Sequence, residues 1–446
     1  MTSRRFGNWG LLQSRGTLDD LFSGRENSVG FLRLMLAVGV VASHARPLGF
    51  LADDLGFRLF REQTNVGNLS VFGFFALSGL LITRSARRTG ILRYMWHRAL
   101  RIFPGLWVCL LVTALVVAPL IALHERGTMA GFWAHPWAAD GPLSYLRANW
   151  WTGVRQWGIQ DLLARTTPWG RSAPDPAGVS VFNGALWSLS YEMLCYVMIG
   201  ILAVTGILRG SRRFVLLLAA LTYVWIVRDF LDSTLHDGAV RLPLIGGVSF
   251  HLMIYLACMF LIGAVLDLYR ERIPVHDGLA LLAGAVFVGS LLLGGFFVFG
   301  MPAYAYLLIW FSIRLPRRLH GVGRNHDYSY GVYIYGFLGQ QVLVSFGANR
   351  WGYLPFVALS MLTAFAAAFL SWHLVESPAM RLKHWSPLAA WRRSRTAPPA
   401  DDGTVPDTMP TELPEVSVAP AAVTDNPGLL PRRTDNALTL TEVDRL

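Results

Sequence analysis

Apolar runs of about 17–25 residues recur along the chain, each long enough to cross a hydrocarbon core of roughly 30 Å. A soluble core instead shows apolar residues at helical or strand spacing. The runs fall at 29–50, 69–84, 102–123, 181–206, 213–229, 246–268, 278–297, 299–315, 329–347 and 352–375. They predict an all-α, polytopic membrane protein with about ten transmembrane helices. The seventh and eighth are expected to divide at Gly300–Pro302. Only 15% of the residues are charged, against roughly 25% in soluble domains, so composition agrees with the runs.

The net charge of +11 would fit a nucleic-acid binder, but the arginines sit in alternate connections, as membrane topology requires. Arg4, Arg5, Arg15 and Arg25 precede the first run, and Arg84, Arg87, Arg88, Arg93, Arg98 and Arg101 follow the second. Later clusters are Arg209, Arg212 and Arg213, then Arg270 and Arg272, then Arg314, Arg317, Arg318 and Arg324. Both termini are therefore expected in the cytoplasm, in a multi-pass protein of the cell (inner) membrane, with no nucleic-acid partner. The chain divides into a cytoplasmic segment 1–28, a membrane domain 29–384 and a Pro-rich polar tail 385–446, expected to be disordered and cytoplasmic. Residues 124–180 form the largest extracytoplasmic connection and carry Trp133, Trp137, Trp150, Trp151, Trp157 and Trp169. These suit an interfacial belt or a sugar-stacking platform. Cys109, Cys195 and Cys258 lie in apolar runs without metal or redox spacing. The histidines likewise show no ligand spacing, so no metal is expected.

Several polar residues sit where lipid makes them costly. Arg33 and His44 lie eleven positions apart in the first run. At about 100° per residue they share one helical face within about 20°, separated by about 16 Å of rise. Snorkelling to opposite interfaces is the plain alternative to a site role. Arg98 and Arg101, at i and i+3 before Pro104, share a face and fit bidentate phosphate binding; ordinary positive-inside charge explains them equally well. Phe74-Phe75-Ala-Leu-Ser78-Gly79 offers a small-residue packing stripe or a site. Trp187-Ser188-Leu-Ser190-Tyr191-Glu192 places a carboxylate inside an apolar run, and Arg33 and His44 are its expected partners. Ser329-Tyr330-Gly-Val-Tyr333 opens the ninth run, and Glu376-Ser-Pro378 with Arg381 ends the tenth as an expected interfacial ion pair.

Taken in order, Arg-x10-His, Phe-Phe-x-x-Ser-Gly, Arg-x-x-Arg-x-x-Pro, Trp-Ser-Leu-Ser-x-Glu, Ser-Tyr-x-x-Tyr and Glu-x-Pro resemble the acyltransferase 3 family of membrane O-acyltransferases, over about residues 26–384. The resemblance implies ten helices around a central acyl-CoA pore, with the donor, acetyl-CoA by default, entering from the cytoplasm. It implies an envelope carbohydrate or lipid-linked sugar as acceptor. Arg33 and His44 would form the central site, with Glu192 orienting His44. Arg98 and Arg101 would hold CoA phosphates, with Ser78 and Tyr330 supporting. His44 would act as general base or as a transient acyl carrier. Many relatives continue the Ser-Tyr motif to a His; Tyr335-Gly336 stands in that region here. Some carry an extracytoplasmic hydrolase-like domain where this chain has a short tail, so direct transfer and hand-over to a separate extracytoplasmic transferase both remain open. A transporter or flippase for a lipid-linked sugar, or a non-catalytic scaffold, would explain the helices but not the ordered motifs.

Overall fold

Lipid offers a backbone no hydrogen bonds, so each apolar run must satisfy its own N–H and C=O groups by coiling. A computed structural model of the protein describes residues 14–22, 26–168, 180–232, 238–242 and 245–384. The expected tail, the first 13 residues and Trp169 lie outside them. Among the described residues, ten long helices appear: α1 (Val29–Phe50), α2 (Val66–Arg88), α3 (Ile91–Arg126), α4 (Gly184–Val204), α5 (Arg212–Asp232), α6 (Phe250–Leu268), α7 (Asp277–Leu293), α8 (Phe296–Arg314), α9 (Ser329–Ser345) and α10 (Tyr353–Arg381). Eight are long and apolar enough to cross a membrane. The other two, α7 and α9, are shorter, and α9 lies almost wholly buried among its neighbours. Among the described residues, sheet is confined to two short antiparallel pairs, Ser14–Thr17 with Pro274–His276 and Ala239–Leu242 with Gly246–Ser249.

Two expected boundaries move. The third helix begins at Ile91, not near residue 102, so Pro104 lies inside it. Arginine is a good helix former, so the basic stretch joins the helix instead of ending it. The break between α7 and α8 falls at Gly294 and Gly295, not Gly300–Pro302. Both glycines have positive φ (111° and 85°), which a residue with a Cβ resists. Three five-residue π turns, at Thr113–Val117, Phe296–Gly300 and Trp372–Glu376, interrupt α3, α8 and α10.

Close backbone packing explains part of the Ser78-Gly79 motif. A Cβ on Gly79 would fall 1.9 Å from the Phe260 carbonyl oxygen, and one on Gly263 would fall 2.0 Å from that of Ala76. Thus α2 and α6 meet backbone to backbone, as small residues permit. Gly79→Ala should force them apart at about 1–3 kcal/mol, the usual range for overpacking. The check is a lower melting temperature of the purified protein in detergent. On the other flank, Gly331 of α9 abuts Ala368 of α10.

Candidate active site

A cavity of about 430 Å³ opens among α1, α2, α3, α4, α9 and α10, within the range of small-molecule sites. One end carries Arg98, Arg324, Met380 and Lys383, the chain's single lysine. The other is walled by Val71, Phe74, Ser188 and Tyr333. Of the expected site residues, Arg33, Ser78, Arg98, Arg101, Glu192 and Tyr330 all line this one space; His44 does not.

At its floor, two arginines share one carboxylate. Asp327, in the connection before α9, lies 3.3 Å from Arg33 and accepts a 2.7 Å bond from Arg101. The Ser329 hydroxyl donates to Asp327 at 2.5 Å. Burial pushes the Asp327 carboxyl up, but Arg101 and Arg33 outweigh it and hold it at about 2. Arg101 also donates to Glu376 at 3.4 Å and stands 5.4 Å from the centre of the Tyr330 ring. Tyr330 in turn donates to the Ile102 carbonyl. Glu376 reaches Arg101 from the π turn of α10, where Ser371 donates to it at 2.9 Å. The expected Glu376–Arg381 pair is therefore replaced by Glu376–Arg101. The expected phosphate pair changes too: Arg101 is engaged by two carboxylates, so Arg98 is the arginine left facing the cavity.

Higher in the cavity, Glu192 accepts a short hydrogen bond from Tyr196, one turn along α4, and a long one (3.5 Å) from Ser78. The Arg98 guanidinium lies 5.7 Å from the centre of the Tyr196 ring. Glu192 is thus paired with Tyr196 and Ser78, not with His44 or Arg33. The rise along α1 explains this, because His44 lies about 16 Å beyond Arg33, past the end of the cavity. Its carboxylate neighbour is Asp54, 3.7 Å from Nδ1, an ion-pair distance too long for a hydrogen bond. Ser43 donates to the same Asp54 oxygen at 2.9 Å. Leu51, in the left-handed region (φ 52°), ends α1 and turns the chain back over that end.

Sequence reasoning missed Asp327, Asp54 and Tyr196. Tyr196 stands at i+4 from Glu192, a spacing that pairs side chains on a helix. Asp327 sits two residues before Ser329-Tyr330 and was the one usable clue there.

Arg33 Nε and Arg98 Nε are buried with no hydrogen-bond partner, so both can serve an anionic or carbonyl-bearing ligand. Among the described residues, no group of His, Cys, Asp and Glu is placed to hold a metal ion.

The model of an acyltransferase domain matches residues 26–373, and so takes in every residue lining this cavity except Met380 and Lys383. The chain belongs to the acyltransferase 3 family. It is a membrane acyltransferase, and the transporter and scaffold alternatives give way. It is similar to an O-acetyl transferase of Shigella phage Sf6, 27% identical over 79% of this chain and 95% of the phage protein. It is equally similar to Nodulation protein 10 of Rhizobium leguminosarum bv. viciae, 27% identical over 82% of this chain and 97% of that protein. A shorter match, 28% identical over 37% of this chain and 36% of the other, is to Acyltransferase MdmB of Streptomyces mycarofaciens. No solved structure matches the chain.

Proposed function

We propose that this acyltransferase 3 protein moves a small acyl group, acetyl by default, from cytoplasmic acyl-CoA to a hydroxyl of an extracytoplasmic or lipid-linked carbohydrate. One observation carries the reading: the cavity has cations at one end and an aromatic wall at the other, on the side toward His44. The relatives named for O-acetyl and acyl transfer support the reaction class. The arginine clusters favour the cationic end as cytoplasmic, with both termini there, in the inner membrane.

On this reading Arg98, with Arg324 and Lys383, receives the phosphate-bearing end of the donor. The pantetheine arm spans the cavity, so only the acyl end approaches the far side, and CoA itself never crosses. Arg33 meets the amide carbonyls of the pantetheine arm; it stands beside Asp327, about 16 Å of rise from His44, too far to reach the thioester oxygen there. His44 takes the proton from the acceptor hydroxyl or carries the acyl group transiently. Asp54 faces the imidazole, 3.7 Å from Nδ1. In the balance, the thioester C–S bond breaks, an ester C–O bond forms, and the hydroxyl proton ends on the CoA sulfur.

The test is release of free CoA by the purified full-length protein in proteoliposomes given acetyl-CoA and envelope carbohydrate. No release with acetyl, succinyl or longer acyl-CoAs would overturn the reading. Arg98→Ala should raise the KM for acyl-CoA about tenfold and leave kcat unchanged. That is the low end expected for a charge-assisted hydrogen bond of about 1.5–3 kcal/mol. An unmoved KM would return Arg98 to a purely topological role.

A further inference from the structure

The cavity and His44 do not meet. The cavity ends at Phe74, Ser188 and Tyr333, where Ser188 and Tyr333 share a 2.5 Å hydrogen bond and the Phe74 ring stands edge-on to Tyr333 at 5.8 Å. One turn further along α9, on the same face, is Phe337. Its ring lies 5.4 Å from the His44 imidazole in an edge-to-face contact, and it is only 8% exposed. It lines no part of the cavity and yet touches the histidine.

The surroundings hold that ring in place. A Cβ on Gly184 would fall 2.6 Å from Phe337 Cε2, so the glycine at the start of α4 leaves room for the ring and nothing more. Asn183, beside it, donates to the Ile334 carbonyl of α9 at 2.7 Å. Gly336 packs on Val41 of α1, and Gln340 donates to the Val41 carbonyl at 2.8 Å. Neighbours on α1, α4 and α9 thus fix the side chain between the two halves of the reaction path.

We infer that Phe337 is the barrier between the donor cavity and His44, and that its size sets the length of acyl group the enzyme transfers. The inference rests on the proposed donor and on His44. The ring must turn aside for an acyl carbon to reach His44, and it must turn away from Gly184, against which it already packs. A two-carbon acyl group needs a small opening, whereas a longer chain meets the ring along its length. In its resting position the ring also keeps water on the His44 side from the thioester. Water reaching it would break the C–S bond and form a C–O bond to give a carboxylate, with one proton left on the CoA sulfur and the other released to solvent.

The experiment compares full-length wild type, Phe337→Ala and Phe337→Leu in proteoliposomes. Free CoA is measured with acetyl-CoA and with hexanoyl-CoA, each with and without envelope extract. Phe337→Ala is expected to raise acceptor-free CoA release at least fivefold, and to raise the ratio of hexanoyl to acetyl turnover at least tenfold. Phe337→Leu, which keeps most of the volume and so guards against a folding defect, should fall between. An active wild type beside variants with an unaltered hexanoyl-to-acetyl ratio and unaltered acceptor-free release would overturn the barrier alone. A wild type that releases no CoA from either donor with extract present would overturn the donor reading, and the barrier with it.

Discussion

His44→Ala is expected to lower acyl transfer by about 10²–10⁴-fold, the usual contribution of a positioned general base, while the purified protein keeps the melting temperature of wild type. The position supports both halves of that statement. The imidazole is only partly buried, and its polar neighbour, Asp54, keeps a second partner in Ser43 when the ring is removed. Little structure therefore depends on the ring. Asp54→Asn should cost far less. Both side chains of the His44–Asp54 pair are more than a quarter exposed (26% and 29%), so the pair is worth about 0.5–1 kcal/mol, a factor of two to five in rate. Transfer rates of the two variants beside wild type decide the matter. Full activity in His44→Ala would remove the histidine from the mechanism. A loss in Asp54→Asn as large as that in His44→Ala would make the carboxylate a full partner in catalysis.

Asp327→Ala is the second large effect expected, and it acts on folding and binding together. Without the carboxylate, Arg33 and Arg101 face each other with Glu376 as the single anion beside them. Stranding one partner of a buried ion pair costs about 3–5 kcal/mol. Arg33 and Asp327 keep side-chain exposures of 24% and 18%, which places this case near about 3 kcal/mol. The melting temperature should drop, and acyl-CoA binding should weaken in the protein that remains folded. Asp327→Glu should restore part of both, because it returns the charge. Thermal melts and acyl-CoA titration of the two variants provide the check, and a wild-type melt for Asp327→Ala would refute the argument. The pH dependence follows from sign. A carboxyl held at about 2 by Arg101 and Arg33 against its burial contributes stability that is whole above its unfolded value near 4. That stability is lost only as pH falls from there toward 2. Between pH 5 and 8 Asp327 should add no slope to stability.

The membrane architecture was legible because lipid leaves so few solutions: a run of about 20 apolar residues must become a helix. Arg33 and Glu192 were legible as candidates because polar groups inside such runs demand an explanation, Arg98 because it shares a helical face with Arg101 ahead of Pro104, and Ser78 from its small-residue stripe; all four line one cavity. Their partners were not legible. Asp327 meets Arg101 across 226 residues, and Glu376 meets it across 275. Periodicity reports on one helix at a time and says nothing of which helices touch. Asp54 and Asp327 sit in short polar connections where a carboxylate needs no explanation, so neither drew notice. Glu192 was given to Arg33 and His44 because all three are polar groups inside apolar runs that need partners. Only the depth of each along its own helix separates them.

The wide turn of α10 has a consequence for how this chain can vary. A π turn holds one residue more than the α-helical path it replaces, and here that extra residue brings Glu376 round to Arg101. Deleting any single residue between Trp372 and Val375 would restore a regular helix. Because the turn absorbs that residue locally, the helix beyond would keep its direction, and Met380 and Lys383 would stay at the cavity mouth. Only the residues of the turn itself, Glu376 among them, would settle differently against Arg101, so the length of that stretch is as much a part of the site as the residues themselves.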